Sequence, residues 1–227
     1  MESQVRGGTR WKRFALVMVP SVAATAAIGV GLAQGALAAS FSVSGVDFKV
    51  TATQLVGHNL LQYGSVATGK TMEGNDDAPH PVVVSGFSDA TITNMCQSVV
   101  QHVPIIGDVT MTLNAGQDGR QVSAKDLYLD VSQLDTDATF ENIDIGVAAG
   151  EGKTGSKEHP GQTKIQPGAN GQPGGMPGGF AQRADTATLN KVSQRAWATT
   201  AGRFELPGLS LRLSTGKHEC ELPKEGN

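Results

Sequence analysis

A repeated alternation of apolar and polar residues is the feature that most constrains what this chain can fold into. Residues spaced by two lie on the same side of a β-strand, so the alternation predicts strands with one buried and one solvated face. It recurs over 41–50, 90–93, 109–114, 127–131, 143–147 and 209–213, in segments rich in residues that strands favour. We therefore predict a mainly β domain, built as an antiparallel sandwich or as a curved or solenoid-like sheet.

Two local features stand apart from this pattern. Residues 94–102 are the one stretch that could form a short helix, and residues 192–201 fit neither element clearly. A faint echo links 88–95 with 136–143, and part of it returns at 185–190. The first two segments lie 48 residues apart. Repeats with a period of that size can mark stacked β units, but a Thr- and Ala-rich composition can also produce such matches.

The first 38 residues carry the three parts of an export signal. A basic region at 6–13 precedes an apolar stretch at 14–33, and small residues follow. The A-x-A arrangement that ends at Ala38 predicts cleavage between Ala38 and Ala39. The alternative is an uncleaved transmembrane anchor over residues 14–37, because about 20 apolar residues suffice to span a bilayer. In both cases we expect the chain to be secreted or held in the cell envelope, outside the cytoplasm.

The remaining residues, 39–227, are expected to form a single β domain. A Gly- and Pro-rich segment at 150–180 interrupts it, and its composition predicts a flexible, disordered loop. Loss of residues 1–38 removes four basic residues and one acid, so the formal charge moves from −3 to −6. This excess of acids disfavours nucleic acid or an anionic membrane surface as the main partner.

The chain has two cysteines, Cys96 and Cys220. In an exported protein an even pair favours one disulfide, which would tie the C-terminal tail to the middle of the domain. The alternative is a pair of free, buried thiols. Neither cysteine has a CxxC neighbour or a His pair at ligand spacing, so neither a redox site nor a zinc site is predicted.

The closest match to a catalytic motif is Gly86-Phe87-Ser88-Asp89-Ala90, which is similar to the nucleophile elbow of ester hydrolases. The match ends in Ala where the elbow has Gly, and a β-branched stretch follows where the elbow requires a helix. Ser88 is therefore the one nucleophile candidate. The alternative is a serine in a turn that connects two strands.

The other titratable side chains do not form a recognisable site. No two His residues have the spacing of metal ligands, and no phosphate or dinucleotide motif is present, so no metal and no cofactor is predicted. Asp126 and Asp130 alternate with apolar residues beside Tyr128, which predicts a solvated sheet face. The His residues are His58, His80, His102, His159 and His218.

Three stretches of the chain, 127–146, 196–211 and 218–220, carry a family resemblance. Together with the export signal, they resemble an actinobacterial family of exported proteins that is filed as a domain of unknown function. Some members are labelled cholesterol esterase, and the resemblance implies no catalytic residues for that label. The family tends to be encoded beside a small multi-span membrane protein, which implies a membrane partner.

The one-sided strands suggest a binding role, because an apolar sheet face must be covered by another layer, a ligand or a partner. We therefore expect an exported, non-enzymatic binding protein of the cell envelope, with a lipid, a surface polymer or a membrane protein as its partner. The first alternative is a lipid or sterol esterase, a carboxylic ester hydrolase in which Ser88 would act. The second is a structural surface protein without a ligand.

Overall fold

Backbone hydrogen bonds join the described strands into one antiparallel sheet. The computed structural model describes residues 44–70, 76–150, 163–166 and 174–222, all within one compact unit, residues 40–227. No helix occurs within those ranges, so the predicted mainly β class is confirmed. The strands are β1 (Phe48–Lys70), β2 (Asp76–Thr93), β3 (Met95–Val103), β4 (Gly107–Ala115), β5 (Val122–Glu141), β6 (Asp144–Ala148), β7 (Phe180–Thr200), β8 (Arg203–Glu205) and β9 (Ser210–Thr215).

Four long strands close on themselves into a small barrel. β1 pairs with β2 on one side and with β7 on the other, and β5 completes the ring by pairing with both β2 and β7. Leu55 of β1 shows the closure, because it lies opposite Ile92 of β2 and opposite Leu189 of β7. Of the predicted architectures, the curved sheet is the one observed.

The barrel interior is narrow, and its lining explains the many small residues in these strands. Phe87 is its largest fully buried side chain, at 1% exposure, and it lies against Gly57. A Cβ atom on Gly57 would lie 2.3 Å from Cδ1 of Phe87, so only glycine leaves room for the ring. Alanines from all four barrel strands and aliphatic residues fill the rest, among them Ala52, Leu55, Ala90, Ile92, Ala124, Leu127, Leu129, Ala184, Ala187 and Val192.

Residues with left-handed backbone interrupt the alternation along the long strands. At each of them, the residue two positions before and the residue one position after both face the core, whereas strict alternation would place them on opposite sides of the strand. Ile92 and Met95, for example, lie in the same core on either side of Asn94. A residue of this kind bends the chain locally, and a narrow barrel needs local bends in its strands. We call these the bend residues: Asn59, Asp126 and Lys191 within strands, and Asn94 and Asn142 directly after β2 and β5, all with φ between 50° and 54°.

The bend residues account for the echo in the sequence. The segments 88–95 and 136–143 contain Asn94 and Asn142, and the segment 185–190 is followed directly by Lys191. The first two segments run past the ends of β2 and β5, and the third lies in β7 of the same barrel, so the three do not form stacked solenoid units.

The predicted short helix at 94–102 is wrong, because Asn94 is a bend residue between β2 and β3 and the residues after it form most of β3. Met95, Val99 and Val103 are spaced by four, which places residues on one face of a helix but equally on one side of a strand. The ambiguous segment 192–201 lies in β7 up to Thr200.

Two described pieces of the Gly- and Pro-rich insertion pack on the outside of the barrel. Gln166 donates its backbone N–H to the Tyr63 hydroxyl at 2.9 Å, and the Tyr128 hydroxyl donates to the Lys164 carbonyl at 3.1 Å. Thr163 is buried and donates to the Asn59 carbonyl at 2.6 Å. Ile165 packs against a second apolar cluster, which lies on the outer face of the barrel and includes Tyr63. The remaining residues of the segment for which disorder is predicted, 151–162 and 167–173, lie outside the described residues.

The strands β3, β4 and β9 extend beyond the barrel and are called the arm below. β3 pairs with β1 only at Lys49–Thr51, then continues into a hairpin with β4, and β9 pairs with the far side of β4. Within the described chain, β9 is therefore an edge strand of the sheet.

Candidate functional site

The surroundings of Ser88 do not activate it as a nucleophile. Its hydroxyl donates to Oδ2 of Asp89 at 2.9 Å and accepts from Nδ2 of Asn59 at 2.9 Å. The ring of His58 is directed elsewhere, with Nδ1 3.4 Å from the Thr186 hydroxyl and Nε2 4.0 Å from Oδ1 of Asp89. The nucleophile elbow of ester hydrolases needs a histidine base hydrogen-bonded to the serine hydroxyl, and no described histidine makes that contact with Ser88.

The other histidines serve local contacts. Nδ1 of His102 lies 2.9 Å from Oδ1 of Asp108, and this hydrogen bond is the main reason that the pKa of Asp108 is lowered. The His80 ring stacks on Trp197 with the ring centroids 3.6 Å apart. Among the described residues, no group of three or more His, Cys, Asp or Glu side chains could hold a metal ion, and His159 lies outside them.

The barrel core is filled by its own side chains. The space among the core side chains Leu55, Leu127 and Val192 has a volume of about 20 Å³, which is close to that of one water molecule. A hydrophobic ligand would therefore have to bind on the surface of the sheet.

The arm separates its residues cleanly between two faces. In β4, Val109, Met111 and Leu113 point to one side, while Thr110 and Thr112 point to the other. The strand register extends this separation to β3 and β9, so one side of all three strands carries no charged residue. We call this side the apolar face: Gln97, Val99, Gln101 and Val103 of β3, Val109, Met111 and Leu113 of β4, and Leu211, Leu213 and Thr215 of β9, with Leu209 just before β9.

Much of the apolar face is open to solvent. Leu211 and Leu213 are 62% and 71% exposed, and Met111 opposite Leu213 is 40% exposed. Towards the barrel the face becomes buried, because Leu113 packs against the barrel core. The face is thus a continuation of the core side of the sheet beyond the point where the barrel closes.

The C-terminal tail packs against part of the opposite, polar face of the arm. Cys220 forms a disulfide with Cys96 of β3, with the sulfur atoms 1.96 Å apart, and donates its backbone N–H to the Ser98 hydroxyl at 2.9 Å. His218 donates its backbone N–H to the Thr110 hydroxyl at 3.0 Å. An open groove of about 610 Å³ beside the tail is lined mainly by polar side chains.

Sequence reasoning found the strands of this site but not its exposure. The alternation at 209–213 predicted a strand with a buried apolar side, and the structure leaves that side exposed. Period two shows which residues share a face, but it does not show which element covers that face. The predicted cleavage point at Ala38 and Ala39 and the anchor at 14–37 lie outside the described residues.

Comparisons with known proteins give a family without an assigned activity. Residues 44–221 match the model of a family of unknown function, DUF6230. No curated protein and no solved structure matches the chain. The described part of the chain contains no helix that could span a membrane.

Proposed function

Because the chain belongs to the DUF6230 family of unknown function, we propose its role from the geometry of the arm. It is an exported protein of the cell envelope that binds an apolar partner through the apolar face of the arm, without catalysing a reaction. The partner is a lipid or the apolar surface of a membrane protein.

The observation that carries this proposal is the contrast between the two faces of the arm. The tail packs against part of the polar face and is fixed there by a disulfide, while Leu211 and Leu213 leave the uncharged apolar face open. Contiguous apolar surface of this kind usually marks an interaction site, and the centres of interfaces are depleted of charged residues. A structural surface protein without a partner gains nothing from such a face.

The same geometry ranks the partners. The filled barrel disfavours a lipid carried inside the protein, and a surface polymer would call for aromatic or charged side chains, which the apolar face lacks. Export is supported by the disulfide, since disulfides persist in oxidising compartments. The esterase alternative gains no support, because Ser88 lacks a histidine base.

Binding to isolated envelope membranes tests the proposal. Residues 40–227 with the disulfide formed are mixed with membranes from the host and separated by sedimentation. The wild type should sediment with the membranes, whereas the double variant Leu211→Ser, Leu213→Ser should stay in solution. Arg212→Ser is the matched control, because Arg212 lies on the same strand but on the opposite face.

If the double variant sediments as the wild type does, the apolar face is not the binding surface.

If only the wild type sediments, lipid extraction and native mass spectrometry of the protein recovered from its host identify the partner. A bound lipid mass indicates a lipid, and a protein mass without lipid indicates a membrane protein.

A further inference from the structure

The turn between β3 and β4 has an unfavourable residue at its strained position. Ile106 donates its backbone N–H to the Val103 carbonyl at 3.2 Å, so Pro104 and Ile105 are the central residues of a β-turn. Ile105 has φ of +76°. Proline followed by a residue with positive φ is the arrangement of a type II turn, which strongly prefers glycine or asparagine at the second central position. A β-branched residue there is a genuine outlier.

The same residue is also unfavourably solvated. Ile105 is fully exposed, at 106% of its reference area, and Ile106 is 63% exposed. We call the segment Val103–Gly107 the tip, and no residue of it has a polar side chain. A turn optimised for stability in water would carry Gly, Asn or Ser here. Strain and apolar exposure on one residue point to a contact that its side chain makes outside the folded chain.

We propose that the tip inserts into the apolar region of a lipid bilayer and holds the arm at the membrane surface. This inference extends the proposed function and rests on it for the location of the protein in the cell envelope. With the tip in the bilayer, the apolar face lies at the membrane surface, where apolar partners are found. A bilayer accepts a small protruding apolar tip without a matching pocket, and the internal hydrogen bond of the turn satisfies one of its backbone pairs.

The polar residues at the base of the tip fit this placement. Asp108 contacts Nδ1 of His102 at 2.9 Å and Nζ of Lys217 at 3.6 Å, so charged groups begin directly behind the apolar residues. Such groups can remain among lipid headgroups while the tip enters the hydrocarbon. Since the chain without residues 1–38 has a formal charge of −6, insertion must be driven by apolar burial and not by attraction to anionic lipid.

Flotation with protein-free vesicles of neutral phosphatidylcholine tests the inference. Residues 40–227 with the disulfide formed should float with the vesicles to the same extent at low and at high salt. Ile105→Gly should weaken binding by roughly tenfold or more, because full burial of an isoleucine side chain contributes that much to an equilibrium. The same variant should melt at a temperature several degrees higher, roughly 2–4 °C, since glycine accepts positive φ.

Two further variants complete the experiment. Ile106→Ser should weaken vesicle binding without the gain in melting temperature, because the positive φ of the turn lies at Ile105. Val66→Thr is the matched control and should bind as the wild type does. Val66 is an exposed apolar residue, at 57%, near the opposite end of β1 from the arm.

Wild type that does not float, or Ile105→Gly that floats as well as the wild type, would overturn the inference. Binding only to anionic vesicles that is lost at high salt would also overturn it. If neutral vesicles do not bind but Ile105→Gly releases the protein from host membranes, the tip contacts a protein and the bilayer proposal is wrong. The proposed function is judged separately, by the response of envelope-membrane binding to the changes at Leu211 and Leu213.

Discussion

At the scale of single residues, Asp130 shows that a residue on the outer face of the barrel can be buried. The pattern predicted that Asp126 and Asp130 share a solvated face with Tyr128, but Asp130 is only 8% exposed. It lies between Val84 and Ala198, on the outer face of the barrel. Its Oδ1 atom has no hydrogen-bond partner among the described residues, and burial raises the pKa of the carboxyl to about 6.

This raised pKa predicts a stability that falls as pH rises. An unfolded Asp titrates near pH 3.9, so between about pH 4 and pH 6 the native state holds more protons than the unfolded state. The contribution of Asp130 is therefore favourable at low pH and is lost as pH rises through its native pKa. A shift of this size corresponds to about 2–3 kcal/mol in the free energy of unfolding.

Asp130→Asn isolates this effect. The variant should be more stable than the wild type at pH 7.5 by about 2 kcal/mol, and the two proteins should converge towards pH 4. Urea unfolding at several pH values measures the difference in the free energy of unfolding between the two proteins. The other carboxyl groups are common to both, so their contributions to this difference largely cancel. A difference in stability that is constant with pH would show that Asp130 does not titrate as described.

At the scale of the element, the bend residues shape the barrel strands. Asparagine and aspartate tolerate left-handed backbone, and four of the five bend residues are one of them. Lys191 is the exception, with φ of 54°. The Asn94 side chain also donates to the Thr53 hydroxyl at 3.1 Å, which ties the bend to β1.

Two substitutions at the bend residues should act in opposite directions. Lys191→Asn should stabilise the protein by up to about 1 kcal/mol, because asparagine tolerates left-handed backbone better than lysine and the exposed 4.0 Å ion pair with Asp137 contributes little. Asn94→Ala should destabilise it by about 1–2 kcal/mol, through strain at positive φ and the lost hydrogen bond. Thermal unfolding measures both, and equal shifts of the same sign would contradict the role given to the bend residues.

The disulfide acts on the tail as a separate element. It closes a loop with a sequence separation of 124 residues, and it holds the tail against the polar face of the arm. Cys220→Ser should lower the free energy of unfolding by about 4–5 kcal/mol on the chain-entropy account. Urea unfolding of this variant beside the wild type measures the loss. Two free thiols in the untreated wild type, detected by mass spectrometry, would remove the premise.

At the scale of the whole molecule, the sequence predicted the class of the fold and its cysteine pair but not its closure. Alternation located strands within β4, β5 and β9, and the pairing of Cys96 with Cys220 followed from their number in a chain predicted to be exported. Closure of the barrel depends on β1 pairing with β7, a long-range contact that no local pattern encodes. The strand Met95–Val103 was missed because a spacing of four fits helix and strand alike.

The candidate site was predictable only as a strand with leucines on one side. Leu209, Leu211 and Leu213 have the pattern of a buried face, and their exposure follows from the position of β9 at the sheet edge. The tip was also hidden in the sequence, because Pro104 and Ile105 suggest a turn only when the positive φ is known. Both features depend on what the rest of the molecule leaves uncovered.

Photo-crosslinking from the arm tests the central claim most directly. A photoreactive residue is placed either at Leu213, on the apolar face, or at Arg212, its neighbour on the polar face, and each protein is irradiated on host envelope membranes. The account predicts a discrete crosslinked product from position 213 and little or none from position 212. Equal yields from both positions, or no product from position 213, would contradict the claim that the apolar face is the binding surface.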